Sequence, residues 1–274
     1  MDRFKDKIVI VTGAASGIGK ALSELLAQRG AKLILADINF SGAKALEAAL
    51  IKKGLSAKAL LVDVSKEGDV RKAVKYAVST CGRLDFVFNN SGIGFAGEVK
   101  DMDLSIWKKM IDVNLYGVIH GTTIAYSQML KQGSGHIVNV ASATGLIPSP
   151  MLTAYATTKH AIVGLSTSLR EEAKEYGVKV SVACPGFVDT GILDPAKAAN
   201  IDEKKLYREK RKLKMMSPEK CAKEIIIGVE KNREIIIFPF KDRMLWWLYR
   251  LNPYAIDSIE NIILKRARKL RKTL

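Results

Sequence analysis

Residues 7–37 read KIVIVTGAASGIGKALSELLAQRGAKLILAD. The β-branched run at its start predicts a strand over residues 7–12, and apolar residues then recur at helical spacing over 18–29. Gly30 ends this helix, and a second apolar run predicts a strand over 32–36. Continuous apolar runs suit strands that helices cover on both faces, as in parallel α/β sheets.

The same alternation of strands and helices continues along most of the chain. The spacing predicts helices near 41–53, 67–80, 104–131, 154–176 and 195–230, and strands near 57–62, 85–89, 136–141, 178–184 and 234–238. Because parallel strands need crossover helices between them, this order predicts an α/β fold with a doubly wound parallel sheet of Rossmann type. We expect one such domain over residues 1–240 and a C-terminal helical extension over 241–274.

Basic residues outnumber acidic ones, with 44 Lys and Arg against 28 Asp and Glu. Residues 201–274 hold 20 of the Lys and Arg but only 10 of the Asp and Glu. A surface of this kind attracts anionic lipid, nucleic acid or an acidic substrate. Aromatic residues are sparse within the basic runs 204–214 and 265–272, so bases would find little to stack on, and we predict no specific nucleic-acid partner.

Cysteine and histidine usage indicates a reduced chain without a metal. The three cysteines form no C-x-x-C pair, which predicts neither a disulfide framework nor a zinc site. The three histidines are isolated from one another, without metal-ligand spacing.

The first apolar run, residues 8–11, is shorter than the roughly 7–15 apolar residues of a signal-peptide core. We therefore expect a cytoplasmic protein.

Three glycines, Gly13, Gly17 and Gly19, lie in the turn between the first strand and the first helix. Glycine lets the backbone approach a pyrophosphate, whose charge suits the N-terminus of a helix. Asp37 ends the second strand, where a carboxylate accepts hydrogen bonds from ribose hydroxyls and repels a 2′-phosphate. The turn holds no arginine, so the pattern favours NAD over NADP.

Tyr155 and Lys159 stand at spacing i, i+4 near the start of a predicted helix, so the phenol and the ammonium share one helical face. A tyrosine, with a pKa of about 10, is a poor acid–base catalyst at neutral pH. A fixed cation nearby stabilises the phenolate and brings the pKa closer to the working range. The same spacing also occurs on ordinary helices, where the two residues have unrelated structural roles.

Taken in order, these motifs resemble the short-chain dehydrogenase/reductase family over about residues 5–240. The matching segments are the turn 12–19, Asp63-Val64, Asn89-Asn90-Ser91-Gly92, Asn114, Ser142, the Tyr155/Lys159 pair and the segment 185–190. Ser91 stands where the family's N-N-A-G segment has alanine. The resemblance implies a catalytic set of Asn114, Ser142, Tyr155 and Lys159. It implies cofactor contacts from Gly13, Ser16, Gly17, Ile18, Gly19, Asp37, Asp63, Val64, Asn90, Ser91, Gly92, Tyr155, Lys159, Pro185, Gly186, Val188 and Thr190.

The resemblance also implies how these residues act. Ser142 and Tyr155 would hydrogen-bond the reacting oxygen, and Tyr155 would exchange its proton as hydride moves to or from the nicotinamide. Lys159 would lower the pKa of Tyr155 and bind the ribose hydroxyls, and the helix backbone at Asn114 would hold a water that links Lys159 to solvent. Family members usually associate through the helices at about 104–131 and 154–176, so we expect a homodimer or homotetramer.

Two segments fall outside the family pattern. The stretch 191–216, where members of the family carry a substrate lid, is long and basic, and it reads either as a solvated helix or as a lid whose Met215 and Met216 face an apolar substrate. In the extension, residues 244–249 are apolar, and a basic amphipathic helix follows near its end. This pattern fits packing on the domain, contact with a second subunit, or peripheral contact with a membrane surface.

The sequence thus predicts an NAD(H)-dependent oxidoreductase that transfers hydride between nicotinamide and an alcohol or carbonyl. The methionines and the aromatic extension favour an apolar substrate of the steroid, retinoid or fatty-acyl type. Two alternatives remain open from the sequence. One is a dehydrogenase of a small polar alcohol or polyol, and the other is a non-catalytic redox sensor that binds NAD(H).

Overall fold

The computed structural model of the protein describes residues 2–193 and 198–271, apart from the side chains of residues 193, 210 and 212. In this part of the chain seven strands form one parallel sheet, made of β1 (Ile8–Thr12), β2 (Lys32–Asp37), β3 (Ala57–Leu61), β4 (Phe86–Asn89), β5 (Gly135–Val140), β6 (Val178–Pro185) and β7 (Ile235–Phe238). Their order across the sheet is β3-β2-β1-β4-β5-β6-β7. The direction of winding reverses between β1 and β4, which is where open α/β sheets bind ligands. The predicted doubly wound fold is confirmed.

The α-helices of the described residues are α1 (Gly17–Gln28), α2 (Phe40–Lys52), α3 (Glu67–Cys81), α4 (Leu104–Met110), α5 (Gly117–Gln132), α6 (Thr153–Ala173), α7 (Glu203–Lys212), α8 (Pro218–Glu230), α9 (Phe240–Leu251) and α10 (Asp257–Arg268). Alternate residues of each central strand face opposite layers of these helices. Val9 and Val11 of β1 pack with α1, α2 and α8, whereas Ile8 and Ile10 pack with α3, α5 and α6. Burial on both faces explains the unbroken apolar runs of the strands.

Two predicted helices differ from the structure. The helix predicted near 104–131 is interrupted between α4 and α5 by a π-helical segment, Ile111–Tyr116, that contains Asn114. The region predicted as helical near 195–230 contains two separate helices, α7 and α8. The side chain of Ser217 caps α8 by accepting the backbone N–H of Lys220 at 3.3 Å, and a proline at the first helical position suits this start.

The C-terminal extension folds back onto the sheet domain. Asn252 and Pro253 separate α9 from α10, and Trp246 of α9 packs against a buried cluster that includes Leu146 and Ile162. The sequence left open whether the extension contacts the domain, a second subunit or a membrane. One face of the extension packs against the domain. None of the helices in the described residues is long and apolar enough to cross a bilayer.

Candidate active site

One cavity of about 750 Å³ opens at the carboxyl ends of the strands. The predicted residues that line it are Gly13, Ser16, Gly17, Ile18, Asp37, Asp63, Val64, Asn90, Ser91, Gly92, Ser142, Tyr155, Lys159, Pro185, Gly186, Val188 and Thr190. Gly19 and Asn114 do not line the cavity and lie buried behind it. Residues that are up to 177 positions apart in the chain thus meet in one place, because parallel strands end at the same edge of the sheet.

The glycine-rich turn brings β1 and α1 into close contact. A Cβ atom on Gly19 would lie 2.0 Å from the carbonyl oxygen of Gly13, and Gly13 itself has a φ of +67°. Ser16 precedes α1 without a side-chain cap, so the first N–H groups of the helix face the cavity without that acceptor. The turn therefore has the open backbone and the helix N-terminus that suit a pyrophosphate.

Asp37 is held at the cavity edge by two backbone N–H groups, one from the glycine-rich turn and one from the loop after β2. One carboxylate oxygen accepts the N–H of Ala15 at 2.8 Å, and the other accepts the N–H of Asn39 at 2.8 Å. Lys20, the basic residue of the turn, pairs with Glu24 at 4.0 Å. The negative charge of Asp37 therefore remains close to the turn, with each oxygen able to accept a further hydrogen bond.

The segment after β4 is positioned by Thr12. The Thr12 hydroxyl accepts the backbone N–H groups of Asn90 at 2.9 Å and of Ser91 at 3.0 Å, and the Asn90 amide donates to the Thr12 carbonyl at 2.9 Å. These bonds fix the end of β4 against the end of β1. Asp63 lines the same cavity, and hydrogen bonds from Ser65 lower the pKa of its carboxyl group.

Ser142 and Tyr155 meet at the end of β5 and the start of α6. The Ser142 hydroxyl accepts the N–H of Thr144 at 3.2 Å and lies 3.5 Å from the Pro185 carbonyl oxygen. Burial raises the pKa of Tyr155, and a hydrogen bond with Ser142 acts in the opposite direction. The two hydroxyls can therefore bind one substrate oxygen together.

Lys159 lies behind Tyr155 and is only 2% exposed. Its Nζ donates to the Val140 carbonyl at 2.9 Å and lies 5.4 Å from the centre of the Tyr155 ring. Burial lowers the pKa of this ammonium to about 8. A Cβ on Gly92 would lie 3.6 Å from this Nζ and 3.3 Å from Oδ1 of Asn114, so the absence of a side chain at Gly92 leaves room at this junction.

The side chain of Asn114 is bonded to the neighbouring loop. Its Oδ1 accepts the N–H of Ile93 at 2.8 Å, and its Nδ2 donates to the Ile93 carbonyl at 2.9 Å. The π-helical segment around Asn114 departs from the regular pattern of backbone hydrogen bonds, as such segments often do at functional sites. The predicted role of Asn114 in holding a water stays a prediction.

Comparison with known proteins agrees with this geometry. The model of the short chain dehydrogenase family matches residues 7–200. The chain belongs to the short-chain dehydrogenase/reductase family. It is therefore an oxidoreductase of this family.

Three of these relatives illustrate the similarity. The SadH protein of Mycobacterium tuberculosis strain H37Rv is 33% identical over 241 residues, which cover 86% of this chain and 87% of that protein. The cyclohexanol dehydrogenase of Acinetobacter sp. strain SE19 is 34% identical over 193 residues, or 70% of this chain and 77% of that enzyme. A short-chain dehydrogenase/reductase from Burkholderia phymatum, crystallised with NAD, has a TM-score of 0.84 at 29% identity and covers 93% of this chain and 96% of its own.

The extension contributes a wall that reasoning from the family motifs missed. Residues of α9, α10 and the turn between them that line the cavity are Lys241, Asp242, Leu245, Trp246, Ile256, Ile259, Glu260 and Ile263. The loop after β5 adds Leu146, Ile147, Pro148, Pro150 and Leu152. The helical spacing of Ile256, Ile259 and Ile263 was visible in the sequence, but it could not show which surface these side chains contact.

The expected role of the two methionines is wrong. Neither Met215 nor Met216 lines the cavity, and Met216 instead packs against the main core. Its backbone N–H donates to the Phe187 carbonyl at 2.9 Å, and its carbonyl accepts the N–H of Asp189 at 2.8 Å. These bonds hold the end of the predicted lid 191–216 against the segment after β6. Residues 194–197 of that lid lie outside the described residues.

Proposed function

We propose that the protein is an NAD(H)-dependent alcohol dehydrogenase or carbonyl reductase that acts on an apolar substrate. The observation that carries the proposal is the single cavity that joins Asp37 and the glycine-rich turn to Ser142, Tyr155 and Lys159. A protein that only binds the cofactor would need Asp37 and the glycine-rich turn, but it would not need Ser142, Tyr155 and Lys159.

The residues present fit a dinucleotide. Any side chain at Gly19 would push against the turn, and the uncapped start of α1 faces the cavity, so the pyrophosphate would lie over residues 13–19. Asp37 would accept the hydroxyls of the adenosine ribose, and Asp63 and Val64 would lie beside the adenine. The segment 185–190 would hold the nicotinamide. When bound, NAD⁺ supplies the hydride acceptor, and NADH supplies the hydride.

The chain's own residues manage the substrate oxygen and its proton. In alcohol oxidation, Ser142 hydrogen-bonds the substrate oxygen, and the Tyr155 phenolate takes the hydroxyl proton. With NAD⁺ bound, removal of this proton would let the carbinol carbon give up its hydrogen as hydride to the nicotinamide, and the alcohol would become a carbonyl. The positive charge of the Lys159 ammonium favours the Tyr155 phenolate. That Lys159 lowers the pKa of Tyr155 is therefore part of this proposal.

The apolar substrate is supported by the walls beyond Tyr155. Leucine, isoleucine, proline and tryptophan side chains of the β5–α6 loop and of the extension line that side of the cavity. A small polyol would leave its hydroxyls against these side chains, and unpaired polar groups are costly to bury. We therefore favour apolar ketones, aldehydes and their alcohols over sugars and polyols.

The first experiment titrates the purified protein with NADH and NADPH by fluorescence and then measures turnover of apolar and polar carbonyls. We expect tighter binding of NADH and turnover of apolar ketones or aldehydes. Tyr155→Phe should reduce kcat by about 10²–10⁴-fold, the usual range for a general acid–base group, with NADH binding unchanged. Tyr176→Phe, at an exposed position outside the cavity, is the matched control. NADH binding with no turnover of any carbonyl would instead support a redox sensor.

The outer face of the extension supports contact with an anionic membrane surface. Apolar side chains remain exposed there, including Leu251 at 81% and Tyr254 at 79%. The extension also carries basic residues at exposed positions that neither line the cavity nor pair with Glu98, namely Arg243, Arg250, Lys265, Arg266 and Lys269. Apolar contact combined with anionic headgroups is how interfacial helices bind lipid. A cytoplasmic protein that binds a membrane peripherally is the location we propose.

Vesicle sedimentation tests this contact, and light scattering tests assembly. We expect the protein to sediment with vesicles of anionic lipid at low salt but not with zwitterionic ones. Leu251→Asp should abolish this, whereas Leu104→Asp, equally exposed but on α4, should not. A homodimer or homotetramer through α5 and α6 stays a prediction. If Leu251→Asp splits an oligomer without affecting sedimentation, a second subunit covers this face and not a membrane.

A further inference from the structure

One charged residue interrupts the apolar wall that α10 and the residue before it add to the cavity. Ile256, which precedes α10, and Ile259, Glu260 and Ile263 of α10 all line the cavity, at the spacing of one helical face. Three isoleucines on this face suit the apolar substrate of the proposed function. The carboxylate among them has no place in a purely apolar contact.

The carboxylate of Glu260 also has a buried oxygen without a hydrogen bond. Within the residues that the structure describes, its Oε1 is buried and has no partner. Asp37 and Asp63, which line the same cavity, each accept hydrogen bonds from nearby residues. Burial raises the pKa of Glu260, and the charge of Asp257 adds to the effect. A buried acceptor without a donor is costly, which makes this oxygen a site for an external donor.

A role in the helix alone does not explain this position. Acidic side chains favour the first turn of a helix, and both Asp257 and Glu260 lie in the first turn of α10. Asp257 fills that role from an exposed position outside the cavity. Glu260 could do the same from solvent, without facing a cavity lined by isoleucines.

We propose that Glu260 determines substrate specificity by accepting a hydrogen bond from a second polar group of the substrate. The inference rests on the proposed function and names its substrate class. The substrate is an alcohol or carbonyl with an apolar body and, away from the reacting carbon, a hydroxyl or ammonium group. A free carboxylate at that position is excluded, because the charge of Glu260 repels it.

The experiment compares kcat/KM of the full chain for matched alcohols. Hexanol, octanol and decanol are measured against the corresponding α,ω-diols, ω-amino alcohols and ω-hydroxy acids. Hydrogen bonds to charged groups change binding by about 10–100-fold. At the chain length that spans the cavity, we expect a preference of this size for the diol or the amino alcohol over the plain alcohol, with the hydroxy acid the poorest substrate.

Two substitutions at Glu260 separate the two donor groups. Glu260→Leu removes the acceptor and should abolish both preferences while raising kcat/KM for the plain alcohol. Glu260→Gln keeps an acceptor without the charge, so it should retain part of the hydroxyl preference and lose the ammonium preference. Asp257→Asn removes the same charge one turn away and should leave the ratios unchanged. A merely structural role of Glu260 would lower kcat/KM for all alcohols alike.

Binding without turnover is followed by tryptophan fluorescence, because Trp246 lines the same cavity. Equal kcat/KM and equal binding for plain alcohols and diols at every chain length would overturn the role of Glu260 and leave the proposed function intact. A diol preference that survives Glu260→Leu would overturn it as well. If no alcohol binds and none reacts, the proposed function falls together with this inference.

Discussion

Replacing Gly19 by alanine tests whether the turn between β1 and α1 forms the cofactor site. Gly19 lies in the first turn of α1, where an ordinary glycine could be replaced by alanine without loss. A Cβ there would lie 2.0 Å from the Gly13 carbonyl oxygen and 2.6 Å from Nδ2 of Asn90. The first distance is 1.4 Å short of the 3.4 Å at which ordinary contact begins.

The size of the effect follows from that overlap. The atom that must move is a backbone oxygen of the turn, so rotation of a side chain cannot relieve the contact. Overpacking of this kind costs about 1–3 kcal/mol, which lowers Tm by roughly 2–12 °C in a domain of this size. We expect NADH to bind about 10–100-fold more weakly to Gly19→Ala, because a loss of about 1.4–2.8 kcal/mol at the displaced turn corresponds to that change in Kd.

Thermal unfolding and NADH fluorescence titration measure the two effects. Gly68→Ala is the matched control, because Gly68 also lies in the first turn of a helix, is exposed and would meet no atom within 4 Å. The control should change the free energy of unfolding by less than about 0.5 kcal/mol and leave NADH binding unaltered. If Gly19→Ala behaves like Gly68→Ala in both assays, the turn does not form the site as described.

Three further predictions concern charge. Burial lowers the pKa of Lys159 from 10.5 to about 8. The buried ammonium therefore lowers the free energy of unfolding by about 3 kcal/mol, an effect that is fully present below pH 8 and is gone above pH 10.5. Chemical denaturation should show Lys159→Met more stable than the parent at pH 7, with the difference shrinking between pH 8 and 10.5; a constant difference would contradict this. Asp37→Asn removes the charge that repels a 2′-phosphate, so the ratio of Kd for NADPH to Kd for NADH should fall at least about tenfold; an unchanged ratio would show that Asp37 does not select the cofactor. Glu98 pairs with Arg268 at 2.8 Å and with Arg271 at 3.7 Å. Glu98→Gln should therefore speed limited proteolysis of the extension about two- to fivefold at low salt and less at high salt. If the variant and the parent are cleaved at equal rates at both salt concentrations, these ion pairs do not hold the extension on the domain.

The sequence by itself determined the sheet and most of the candidate site. Unbroken apolar runs, each followed by a helical period, require a parallel sheet, and glycine, aspartate and serine at strand ends must then meet at one edge. The spacing of Tyr155 and Lys159 is local, so one helix places both side chains together without help from the rest of the fold. These inferences succeed because each depends on short stretches or on a topology with few alternatives.

Only the tertiary structure decided how the extension is used. The period of Ile256, Ile259 and Ile263 predicts an apolar helix face, but the same face would suit a membrane, a second subunit or the chain's own cavity. For the same reason the sequence wrongly placed Met216 beside the substrate. Its neighbours are decided by backbone hydrogen bonds to the segment after β6, which lies far from it in the sequence. Hydrophobic burial has no direction, so a pattern shows that a face is covered, and long-range packing alone decides what covers it.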